Sequence, residues 1–153
     1  MPRRQGFRAP GPDAQGPAKR EEDVTEVARQ TVERLSARLP GIQVYCHQRV
    51  GDVLRVIASV GGLRLIYEIP RDQGGICWRA AESGKPQLVE DVRHDPDYLA
   101  TDERVRSEVA YPVQGADDTL LVLDAEFTER TFTPEEAEAV EAEAARLASE
   151  LDY

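Results

Sequence analysis

The stretch IPRDQGGICWRAAESGKPQLVEDVRHDPDYL, residues 69–99, decides how the chain folds. Asp72-Gln73-Gly74-Gly75 breaks an extended run ending at Pro70, and ICWRAAES reads as a short helix over 76–83. Gly84 closes that helix with a positive φ, and Pro86 prevents its continuation. PQLVEDV, residues 86–92, is then a short strand. Residues 93–106 are polar, include His94-Asp95-Pro96-Asp97, and predict a single helical turn. That segment is too long to be a mere connector, so a lid over one face of a sheet is expected.

Outward from this centre, both sides carry hairpins. Upstream, IQVYCH (42–47) and VLRVIAS (53–59) are β-rich runs around a loop containing Gly51. After Gly61-Gly62, LRLIYEIP (63–70) is a further extended segment. Downstream, SEVAYPV (107–113) and TLLVLDAEF (119–127) form a second hairpin around Gly115 and Asp117-Asp118. Hairpins imply antiparallel pairing. Helices flank the whole. Val24, Val27, Ala28, Thr31, Leu35 and Leu39 recur at helical spacing until Pro40-Gly41. Thr133-Pro134-Glu135-Glu136 starts the last helix, with Thr133 as N-cap, Pro134 at its first position and Glu136 completing a capping box. Val140, Ala144, Leu147 and Leu151 face one side of it. The order is an α+β arrangement whose helices must cover one sheet face.

Length and charge narrow the classes. A chain of 153 residues makes one domain. Residues 1–20 hold four Pro and three Gly, and five basic residues against Asp13 alone; the expectation is a disordered, solvated tail before a domain over 21–153. Its balance of +4 leaves −14 on the rest of a chain whose net charge is −10. An acidic body repels phosphate backbones, so no nucleic-acid partner is expected. No window approaches the ~18 apolar residues of a membrane helix. The basic N-terminus lacks the apolar stretch of a secretory signal, so a cytoplasmic, non-membrane protein is expected. Cys46 and Cys77 are then free thiols.

In their order along the chain, these pieces resemble the GAF domain: IPRDQGGICWRAAESGKPQLVEDVRHDPDYL, RSEVAYPV, LLVLDAE and FTPEE. With the leading helix and first hairpin, the resemblance spans about residues 22–151. It implies an antiparallel sheet of five or six strands, with the N- and C-terminal helices on one face. A ligand cleft on the other face lies under the short helix and the long loop. Resembling domains bind cyclic nucleotides, bilins, haem, amino acids or small metabolites, and others merely dimerise, so fold alone does not name the ligand. The Asn-Lys…Phe…Asp-Glu pattern of cyclic-nucleotide binders is absent, neither cysteine lies in the long loop as in bilin binders, and His47 and His94 form no metal or haem set. The cofactor is unknown and no metal is expected.

The cleft residues expected from this reading are Gly75, Cys77, Trp78, His94, Tyr98, Glu108 and Asp124. Gly74-Gly75-Ile76-Cys77 opens the short helix, where free N–H groups favour anions and lower a thiol pKa; alternatively the glycines make a tight turn and Cys77 packs in the core. Trp78 is core or cleft wall. Glu108 and Asp124 point into the cleft by strand alternation and suit an ammonium or several hydroxyls; otherwise Glu108 pairs with Arg104 or Arg106. Arg93, His94 and Tyr98 line the entrance. The same motif resembles free methionine-R-sulfoxide reductases, whose acidic amine contacts map to Glu108 and Asp124. Those enzymes place a catalytic cysteine in Ile-Ala-Cys-Asp; here the segment reads Leu99-Ala100-Thr101-Asp102, with Thr101 at the sulfur position, which leaves Cys77 for any enzymatic role.

Three functions follow: a sensory or regulatory domain binding an unidentified small molecule, a reductase-like thiol enzyme, or a ligand-free dimerisation module. The helix stripes form a four-helix homodimer seam, or each covers its own sheet. With Tyr153 last and no output domain, a signal is expected to pass through association or a separate partner protein.

Overall fold

Along residues 43–47, 108–113 and 121–127 side chains alternate between two buried environments, so both faces of the sheet are covered. The computed structural model describes residues 21–62, 66–100, 102–115 and 118–151. Its helices are α1 (Glu21–Arg38), α2 (Ile76–Ser83) and α3 (Pro134–Leu151). Its strands are β1 (Gln43–Val50), β2 (Val53–Val60), β3 (Glu68–Pro70), β4 (Gln87–Val89), β5 (Val105–Gln114) and β6 (Leu120–Thr128). One six-stranded sheet runs β3-β2-β1-β6-β5-β4, every neighbouring pair antiparallel. The expected tail, residues 63–65, Thr101, Asp117 and Tyr153 lie outside the described residues.

On one face, α1 sets Val24, Ala28, Val32 and Leu35, and α3 sets Val140, Leu147 and Leu151, against Val44, Cys46, Val109, Leu121, Leu123 and Phe127. Burying each large aliphatic contributes roughly 1.5–3 kcal/mol, which makes this layer the main stabilising one. Arg34 of α1 donates to the buried Glu143 of α3 through Nε and Nη2 at 3.1 and 3.0 Å, tying the helices together. The apolar stripes therefore cover their own sheet. The capping box at α3 forms as read: Thr133 Oγ1 accepts from Glu136 N at 3.2 Å, and Thr133 N donates to Glu136 Oε1 at 2.9 Å. Gly84, left-handed at φ 67°, closes α2 through its N–H to the Ala80 carbonyl.

Several boundaries differ from the expectation, among them β5, which runs Val105–Gln114 rather than 107–113, and β6, which runs Leu120–Thr128 rather than 119–127. β1 continues to Val50, because the turn is only Gly51-Asp52 between paired Val50 and Val53. The described part of the third strand is a strand over Glu68–Pro70, with Tyr67 O accepting from Val56 N at 2.8 Å just before it. β4 stops at Val89, since the Asp91 side chain accepts from Arg93 N at 3.0 Å and caps a 3-10 turn, Val92–His94. This turn is the single helical turn expected in the long polar segment.

Candidate functional site

On the face away from α1 and α3, the pleat turns Tyr45 and His47 of β1, Glu108 of β5, and Asp124 and Glu126 of β6 toward one cavity. The register puts Glu108 opposite Glu126, Ala110 opposite Asp124 and Asp124 opposite Tyr45. The first turn of α2 adds Gly75, Ile76 and Cys77, and the long segment adds Tyr98 and Leu99 as a roof. Ile66 and Ile69 complete the lining around about 50 Å³ of free space.

Gly75 enters α2 at φ 105°, a region L side chains rarely adopt, and a Cβ there would stand 3.1 Å from Leu99 Cδ1. The missing side chain lets the roof sit directly on the helix start. Arg79, one turn on, holds the roof in place. Its Nη1 and Nη2 donate to both oxygens of Asp95 at 2.9 and 2.7 Å, Nη1 to Asp97 at 2.9 Å, and Nε to Gln87 at 2.7 Å.

The cavity wall is acidic. Glu108, Asp124 and Glu126 are all buried, and no Lys or Arg is among the described lining residues. Burial raises all three carboxyl pKa values, that of Asp124 to about 7; neighbouring carboxyl charges raise Glu108 and Glu126 further, whereas at Asp124 the hydrogen bond with Glu108 lowers the value and the charge of Glu126 raises it. The Cys77 thiol and the Glu108 carboxyl hydrogen-bond with Asp124. Asp124 Oδ1, Glu126 Oε2 and His47 Nδ1 are buried without a hydrogen-bond partner. Burial alone pulls His47 down to about 4, so its ring is neutral. The Cys77 thiol is pushed up by burial and then by Asp124, Glu108 and Glu126. The helix N-terminus does not lower it as expected. A helix terminus is worth about 0.3–1 kcal/mol, less than desolvation beside three carboxyls.

Five of the seven expected residues meet here: Gly75, Cys77, Tyr98, Glu108 and Asp124. Trp78 does not. About 100° around α2 from Cys77, it packs in the core, and its Nε1 donates to the Ile69 carbonyl at 2.8 Å. His94 does not either: its side chain is 81% exposed, with Nε2 3.6 Å from Asp91. Arg93 also pairs with Asp91 rather than lining the entrance. Arg104 pairs with Asp102, so it is not the partner of Glu108. Tyr45, His47 and Glu126 were missed. Their signal was the same alternation that marked Glu108 and Asp124, carried one step further along β6 and across to β1.

The family model for the GAF domain matches residues 21–152. The chain belongs to the GAF domain family. Its α+β fold, with three α-helices and a six-stranded antiparallel sheet among the described residues, is the GAF fold. Solved GAF-fold structures include the free methionine-R-sulfoxide reductase of Neisseria meningitidis in complex with its substrate. It is 25% identical with a TM-score of 0.74, over 86% of this chain and 79% of that one. A type II free methionine-R-sulfoxide reductase from Thermoplasma acidophilum is 22% identical, TM-score 0.71, over 84% and 94%. The GAF domain of a phosphoenolpyruvate-protein phosphotransferase from Coxiella burnetii is 18% identical, TM-score 0.68, over 83% and 81%. No curated protein matches the chain. No helix among the described residues is long and apolar enough to cross a membrane.

Proposed function

We propose that this GAF domain is a regulatory module whose cavity takes a small molecule through a protonated amine. One observation carries the reading: three buried carboxyl groups share a cavity wall with no Lys or Arg among the described lining residues, and the one imidazole there, His47, is neutral. A buried carboxylate without a counter-charge costs several kcal/mol, and an ammonium supplies both charge and three donors. Asp124 Oδ1 and Glu126 Oε2 are acceptors in want of such donors. Ile66, Ile69, Ile76 and Leu99 offer the guest's carbon skeleton an apolar surface. The free space holds a few waters, so a larger guest enters by displacing Tyr98 and Leu99. Support also comes from the Neisseria protein of the same fold, whose substrate is a free amino-acid sulfoxide.

The output of binding is a change in how α1 and α3 pack, read by a second copy or a partner protein. β5 and β6 present alternate residues to the cavity and to the helices, which couples the two layers. The guest must prefer one arrangement to shift it. Thermal unfolding with a panel of free amino acids and amines, each beside its N-acetyl counterpart, tests the reading. An amine at 100 times its Kd adds about 2.7 kcal/mol of stability, and its acetylated form adds none. Sedimentation of the same samples reads association. Equal shifts from acetylated compounds, or no shift across the panel, overturn the proposal.

A second reading rests on Cys77, which faces the cavity and hydrogen-bonds with Asp124. Sulfoxide reduction passes the oxygen to water while two thiols become a disulfide. Cys46 packs on the opposite sheet face, so the second thiol would be an external reductant. Consumption of free methionine-R-sulfoxide with dithiothreitol, lost in Cys77→Ser, supports this reading.

A further inference from the structure

His47 is buried to 3% exposure with Nδ1 unpartnered, and its Nε2 stands 4.0 Å from Asp124 Oδ2. Cys77 closes the group: one donor atom from each of His47, Cys77 and Asp124 lies within 4.8 Å of the other two. These residues come from β1, α2 and β6, separated by 30 and 47 positions, which is why spacing in the sequence reveals no metal set.

We propose that His47, Cys77 and Asp124 form a three-ligand site for a divalent transition metal of the zinc type, with its fourth position open to the cavity. An imidazole, a thiolate and a carboxylate are the donors zinc takes, and three protein ligands with one open position is its catalytic or ligand-accepting arrangement. Donors around tetrahedral zinc are about 3.3–3.6 Å apart at normal bond lengths, so side-chain rotation of about an ångström closes the set. The metal replaces the thiol proton now shared with Asp124 and brings positive charge to a wall that has none. Neutral His47, whose Nε2 now stands 4.0 Å from Asp124, gains a bonded partner.

Glu108, Asp124 and Glu126 also bring one oxygen each within 4.8 Å. That all-oxygen set is the weaker one. Calcium takes six to eight oxygen ligands and magnesium keeps several waters, and about 50 Å³ leaves little room for them. It also leaves His47 unexplained. Glu108 and Glu126 instead stay available to a guest's ammonium beside the metal. The site does not depend on amine binding.

The test is cobalt titration of the full chain after chelation and desalting under reductant. One equivalent of Co²⁺ is expected to give visible bands of tetrahedral cobalt and a near-ultraviolet thiolate charge-transfer band, both displaced by Zn²⁺. Cys77→Ser removes the near-ultraviolet band, Cys46→Ser keeps it, and His47→Gln weakens binding by more than about 100-fold, beyond the 10–100-fold typical of losing a ligand's support. X-ray absorption of the zinc-loaded wild-type chain, which needs no variant to fold, is expected to show one sulfur and one imidazole donor. A wild-type chain with no cobalt band, a band that survives Cys77→Ser, an absorption spectrum without sulfur, or stabilisation by Mg²⁺ or Ca²⁺ alone overturns the site. A chain that binds amines but no cobalt overturns it and leaves the amine reading standing.

Discussion

Gly75 shows how one missing side chain shapes the cavity. Its φ of 105° and the 3.1 Å between a hypothetical Cβ and Leu99 act together. In Gly75→Ala, backbone strain of about 1–3 kcal/mol is expected, with Leu99 pushed from the helix start. Urea unfolding reads the loss, and an unchanged midpoint contradicts the strain. Trp78 makes the complementary point. Beside Cys77 in sequence, it faces elsewhere because adjacent helical residues diverge, and the Ile69 carbonyl holds its indole nitrogen.

At the scale of elements, the roof over the cavity hangs on Arg79. Its fork grips both Asp95 oxygens and reaches Asp97 and Gln87, joining α2, β4 and the long segment. Arg79→Leu is expected to cost about 1–2 kcal/mol, since the pair is only partly exposed and doubly bonded. Limited proteolysis within residues 95–100 should accelerate, and Arg79→Lys should not restore protection because a lysine lacks the planar fork. Unchanged cleavage would show that the roof is held by Tyr98 and Leu99 alone. The elements themselves were legible in the sequence. Gly84, the Thr133–Glu136 box and the Gly51 turn announce their ends through local chemistry, and all three form. His94 misled because the Asp91-capped turn aims it at solvent, a choice made by three residues of backbone geometry. His47 carries the same alternation that marks Glu108 and Asp124, but its place beside Asp124 comes from the register of β1 on β6, a long-range pairing that local sequence does not set.

For the whole molecule, the buried carboxyls set the pH response. In the chelated, ligand-free chain, Glu108, Asp124 and Glu126 have folded pKa values above their unfolded ones, with Asp124 at about 7. Their stability contribution is full below the ordinary carboxylate range and is lost as pH rises through the folded values. His47, lowered to about 4, works in the opposite sense, losing stability as pH falls from about 6.5. Above pH ~6.5 the carboxyls act alone, and each weakens the fold by up to about 1.4 kcal/mol per pH unit between its unfolded and its folded pKa, Asp124 until about 7. The melting temperature is expected to fall as pH rises from ~6.5 through about 7, and Asp124→Asn should flatten the decline. A rising profile would contradict the shifts.

The sheet's two-residue alternation has an engineering consequence. Tyr45, His47, Glu108, Asp124 and Glu126 are interleaved with Val44, Cys46, Val109, Leu123 and Ala125, which point to the helices. Odd and even positions are thus separate alphabets on the same strands. Rewriting one alphabet recasts which guest is admitted, while the other continues to spell the scaffold.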